Sequence, residues 1–130
     1  MKKNVVSMFL ATSAISALVS FAASAAVERK ILLQQDLPTP NQSAALVELT
    51  IPPGEREGRH IHPGAVVVYI LQGALTVSTD GAPLKTYQTG ETFYIPPGTV
   101  HEGINNGQST MKALASFVSE KGKPLTSAAP

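Results

Sequence analysis

From Glu28 to the end of the chain, apolar and polar residues alternate in short runs separated by Pro, Gly, Asn and Asp. None of these runs carries the 3.6-residue spacing of an amphipathic helix, whereas period-two alternation is the mark of a half-buried strand. The pattern predicts strands at Arg29–Gln35, Ala45–Ile51, Val66–Leu71, Ala74–Thr79, Leu84–Gln88, Thr92–Ile95, His101–Asn105 and Met111–Val118. Asp36-Leu-Pro-Thr-Pro-Asn ends the first strand. Pro52-Pro53-Gly54 ends the second, because proline cannot donate to a ladder. Val66 to Leu71 is β-branched and nearly continuous, the pattern of a strand buried on both faces. Gly73 breaks it, and Ala74–Thr79 follows as a hairpin partner. The Asp80-Gly81 tight turn makes Leu84–Gln88 the returning strand. After Lys121 the only large apolar residue is Leu125, so the tail reads as a frayed end or an extended arm. Many short strands at close turn spacing imply one all-β sandwich or jelly roll, with no internal repeat.

The first 25 residues break this pattern. Lys2 and Lys3 precede an apolar stretch, Val5 to Phe21, and Ala22-Ala23-Ser24-Ala25-Ala26 then offers small residues to a signal peptidase. Residues 1–25 are therefore expected to be a signal peptide cleaved after Ala25, and the stretch is too short to remain as an anchor. Residues 26–130 would be a single domain of about 105 residues in a bacterial periplasm or outside the cell. Both leader lysines leave, so the formal net charge falls from +1 to −1, no platform for nucleic acid. With no cysteine, an oxidising compartment supplies no disulfide. Stability then rests on the core, with burial in a homodimer and metal binding as the further expected contributions.

Three histidines carry the candidate chemistry. His60 and His62 stand two apart in Gly54-Glu-Arg-Glu-Gly-Arg-His60-Ile-His62-Pro-Gly, and His101 follows the turn Pro96-Pro97-Gly98-Thr99-Val100. In a strand, residues two apart share a face, so the first two present both imidazoles on one side. A third imidazole from a neighbouring strand would complete a three-nitrogen face with open positions, as catalytic metals need.

The spacing around these histidines resembles the cupin family. Gly54-x5-His60-x-His62-x3-Val66-x6-Gly73 is similar to the first cupin motif (54–73). Gly90-x5-Pro96-x-Gly98-x2-His101-x3-Asn105 is similar to the second (90–105) at every fixed position. The resemblance implies a double-stranded β-helix jelly roll holding a divalent transition metal (Fe, Zn, Mn, Ni or Cu) on His60, His62 and His101. One position departs: Val66 stands where the family usually has a metal-binding glutamate, and no acidic residue lies between His62 and Asp80. A site with three neutral ligands keeps the full charge of the ion, which lowers metal affinity and favours anionic substrates.

If register continues from His62, Val66 and Val68 face the metal, and Phe93 and Ile95 line the facing strand, forming an apolar cradle for a small molecule. Tyr69 and Tyr94 fall in the opposite register, under the sheet or in a subunit contact. Arg56 and Arg59 are placed to hold an anion at the mouth, but Glu55-Arg56-Glu57 reads first as a solvated loop. Glu102 is expected to point away from its neighbouring ligand and into solvent. Gly54, Gly90 and Gly98 read as turn devices needing positive φ, and Asn105 as a turn lock. Two functions stay open: a metal-dependent enzyme, above all an Fe(II)-type dioxygenase, as in the three-histidine cupins the site resembles, or a non-catalytic periplasmic binder of a small molecule or metal.

Overall fold

The computed structural model describes residues 25–130, so the expected signal peptide lies almost wholly outside the described residues. Ten strands follow one another: β1 (Glu28–Asp36), β2 (Gln42–Ile51), β3 (His60–Ile61), β4 (Ala65–Gln72), β5 (Ala74–Thr79), β6 (Lys85–Gln88), β7 (Thr92–Ile95), β8 (His101–Ile104), β9 (Met111–Glu120) and β10 (Ser127–Ala128). They form two five-stranded sheets, ordered β1-β2-β9-β4-β7 and β10-β3-β8-β5-β6, with antiparallel pairing in every ladder. No helix occurs among the described residues. This is the all-β jelly roll that the alternation predicts.

The core lies between the sheets, and period two decides which side chains enter it. β2 sends in Ala45, Val47, Leu49 and Ile51, and β9 sends in Met111, Ala113, Ala115 and Phe117 from the facing register. Ile51, Ile70 and Met111 are fully buried. Burying a side chain of that size is worth roughly 1.5–3 kcal/mol.

Two expectations about β4 need correction. Its inward residues Val66, Val68 and Ile70 are buried, but Val67, Tyr69 and Leu71 are 51%, 43% and 39% exposed. The strand is thus covered on one face only. An unbroken apolar run cannot reveal whether anything lies against its outer face, because that depends on the layers around it. Tyr94 on β7 is exposed on the same outer surface, in the register opposite to Ile95. Nor does β5 pair with β4: the chain crosses at Gly73 into the other sheet, where β5 pairs with β6 and β8. The hairpin is therefore β5–β6, around a turn closed by the Ala82 N–H donating to the Thr79 carbonyl at 3.1 Å.

The tail is an arm, not a frayed end. Ser127 and Ala128 pair with Ile61 and His60, adding β10 to the edge of the second sheet. Gly54, Gly90 and Gly98 adopt φ of +78°, +88° and +73°, as their turns require.

Asn105 is a lock with three bonds. Its amide donates to the carbonyls of Ile51 (2.8 Å) and Ser109 (2.9 Å), and its side-chain oxygen accepts from the Gly107 N–H (2.9 Å). The residue is 1% exposed, so truncation leaves backbone groups unpaired in the interior. Asn105→Ala is expected to destabilise the protein by about 2–4 kcal/mol, read as a lower urea midpoint at unchanged slope. A midpoint equal to wild type would show that the turn holds without this side chain.

Candidate metal centre

His60 on β3 is the register partner of His101 on β8, so the two rings share the inner face of the second sheet. His62, just past the end of β3, keeps the parity of His60. All three are buried, with ring centroids 4.2 Å apart for His60–His101 and 4.9 Å for each of the other pairs. One ring nitrogen from each lies within 4.8 Å of the others.

The remaining nitrogen of each ring is already committed. Nδ1 of His60 lies 2.7 Å from the Gly58 carbonyl, that of His101 2.9 Å from Thr99, and that of His62 2.8 Å from Leu125. A carbonyl can only accept, so each Nδ1 carries a proton, and in the neutral ring Nε2 is then the nitrogen with the lone pair. Backbone acceptors that fix tautomer and ring angle are the usual outer support of metal-binding imidazoles. The donor set therefore fits a divalent transition metal, and the three-histidine cluster can hold one.

Burial is the main force favouring the neutral form of His62 and His101. It pushes His62 down from 6.5 to about 4, against the opposing effect of the Leu125 carbonyl and with help from the charges of His101, His60 and Arg29. His101 is lowered chiefly by the same cause. Below 6.5 the unfolded chain takes up protons that the folded chain refuses, so acid favours unfolding. The metal-free protein is expected to lose stability as pH falls from about 6.5 toward 4, and His62→Gln should flatten this part of the Tm–pH profile. An identical slope in the variant would remove burial of His62 as the cause.

The histidines open on a cavity whose apolar wall contains Val66, Val68, Phe93 and Ile95. Phe117 joins them, its ring 5.1 Å from that of His62 and nearly perpendicular to it. Other residues of this cavity were not legible as site residues. Glu57, expected in a solvated loop, is a cavity residue instead. Its side chain is 9% exposed and accepts from Arg29 at 2.8 Å. Its backbone N–H donates to the Gly103 carbonyl, which folds the segment against β8. The arm contributes Thr126, whose hydroxyl is 3.2 Å from His62 Nδ1.

Glu102 is also corrected. It does point away from the ligand face, but it is buried, 3.4 Å from Arg56. The bridge between Arg56 and Ile104 pairs the 54–58 segment edge to edge with β8, which sets the Arg56 side chain beside Glu102 on the outer face of that sheet. Arg56 is thereby drawn to Glu102, and Arg59 forms a surface pair with Asp80 at 2.7 Å.

Two antiparallel sheets with converging histidines at the inner face define a jelly-roll protein of the cupin class. Residues 47–117, just over half of the chain, match the Cupin domain family, and the chain belongs to it. It is 40% identical over 83 residues to germin-like protein subfamily 2 member 2 of Arabidopsis thaliana, covering 60% of this chain and 38% of that protein. The chain thus spans less than two fifths of the length of the curated relatives it matches. A double-stranded β-helix protein from Klebsiella pneumoniae superposes with a TM-score of 0.64 at 20% identity, over 80% of this chain and 84% of that one. An oxalate oxidase in complex with glycolate superposes with a TM-score of 0.58 at 25% identity, over 65% of this chain and 45% of that one.

Proposed function

We propose that residues 26–130 form an exported, periplasmic cupin that binds a divalent metal on His60, His62 and His101 and acts on a small anionic organic substrate, as an Fe(II)-type dioxygenase or another Lewis-acid enzyme. The observation that carries this reading is a set of three buried imidazoles, each with Nδ1 bonded to a backbone carbonyl, opening on an apolar cavity. An ion held there supplies positive charge and, if it is iron, redox chemistry toward O₂. The chain's own contribution is to keep three lone pairs aimed at one point and to exclude water with Val66, Val68, Phe93 and Ile95. With Val66 in place of a carboxylate, the donor set adds no negative charge, which favours an anionic substrate. The likeness to an oxalate oxidase holding glycolate supports a small organic acid in this role.

Replacement of the glutamate by Val66 also favours a second reading, a non-catalytic binder of a small molecule or metal. Metal content of protein purified from its own compartment separates the two. Iron with substrate-dependent oxygen uptake supports the enzyme, and zinc or an empty site supports the binder. We further propose a homodimer, supported by the exposed apolar row Val67, Tyr69 and Leu71 with Tyr94 and Val118 nearby in the same sheet. A single-subunit mass by light scattering at micromolar concentration would remove it.

A further inference from the structure

β1 is an edge strand with all nine residues exposed, yet it contributes a residue to the cavity. Among the described residues, the single hydrogen bond of the Arg29 side chain runs to Glu57, 28 positions away. A guanidinium has five N–H donors, so most of its forked edge is left for another acceptor. Glu57 is the one carboxylate among the described residues that line this cavity. Its place is reserved by the backbone beneath it. A Cβ on Gly103 would lie 2.5 Å from Oε2 of Glu57 and 3.4 Å from its Cδ, so any side chain there would evict the carboxylate. Gly103 stands two residues after His101 and on the same face of β8, which puts the pair beside the histidines within one cavity.

We infer that Arg29 is the specificity-determining residue of this cavity, reading a carboxylate on the far end of a small acid whose near end binds at the histidines, and that Glu57 is the positioning residue that holds the guanidinium there. This deepens the proposed function and rests on it. The ligand class narrows to organic acids with two acidic ends, because one end meets the histidine face and the other a forked donor suited to carboxylate geometry. Apart from Thr126, the rest of the wall offers apolar contact, so neutral groups between the two ends are tolerated.

The test compares two probes on zinc-loaded protein by calorimetry: malonate, with a carboxylate at each end, and acetylacetone, a chelating diketone with none. Arg29→Met should weaken malonate about tenfold or more while leaving acetylacetone and zinc affinity at wild-type values. Arg29→Lys, which keeps the charge but not the fork, should retain part of the preference. Glu57→Gln should weaken malonate by a smaller factor and spare acetylacetone. A pair that merely straps β1 to the barrel would weaken both probes together, and that result overturns the inference, as does unchanged malonate binding in Arg29→Met. If neither probe binds zinc-loaded wild type, the functional reading itself falls and takes the inference with it. Binding of both probes with no effect of residue 29 defeats the inference alone.

Discussion

His101→Ala is expected to lower affinity for a divalent transition metal by more than about a hundredfold, beyond what loss of an outer hydrogen bond to a ligand costs. The ring belongs to the nitrogen cluster within 4.8 Å and is the register partner of His60, so its loss leaves two donors and an open side. The fold should survive, because the core of Ile51, Ile70 and Met111 does not include this ring. Competition with a chromophoric chelator measures the effect, with far-UV dichroism as the check on folding. Wild-type zinc affinity in His101→Ala would show that the three histidines do not form a metal centre.

Val66→Glu should give a reversal of sign. Val66 is 1% exposed, between Ile95 on β7 and Phe117 on β9, and it lines the cavity that holds the histidines. Without metal, a carboxylate in this apolar wall should destabilise the protein by on the order of a few kcal/mol, or stay protonated. With metal, an anionic oxygen within reach should raise affinity for a divalent ion and so give a larger stabilisation on binding than wild type shows. The expected readout is a lower Tm than wild type without metal, and a larger upward shift when metal is added. Under the enzyme reading, the variant should also bind anionic substrate more weakly, since a coordination position and a unit of positive charge are both lost. Equal metal-induced shifts in the two proteins would place residue 66 outside the centre.

Much of this centre was legible because its geometry is local. Parity within a strand is a property of the backbone, so His60 and His62 share a face wherever that strand lies, and Val66 and Val68 share one within β4. That the two faces meet in one cavity is tertiary, since β3 and β4 belong to different sheets. Turn chemistry is local too. Asn105 reads as a lock from its place before Asn106-Gly107, and the structure shows it bonding to the residues around that turn. The spacing shared with the cupin motifs then placed His101 beside His60, a pairing across 41 positions that alternation alone does not supply.

Burial of charged groups was not legible, because it depends on what folds over them. Glu57 and Glu102 look alike in sequence, each an acid beside an arginine or a ligand in a polar stretch. One ends inside the cavity on the vacant face of Gly103, and the other lies beside the Arg56 side chain on the outer face of β8, where the 54–58 segment pairs with that strand. Arg29 and Leu125 come from opposite ends of the described chain; the first lines the histidine cavity and the second orients His62 only because β1 joins the edge of one sheet while the arm leads into β10 at the edge of the other. By itself, the sequence determined the all-β class, the inward set of side chains and the three imidazoles, since period two and turn preference act over a few residues. Tertiary structure alone decided which carboxylate faces the cavity, which carbonyl orients His62 and which apolar face of β4 stays bare, because each depends on contacts between segments far apart in the chain.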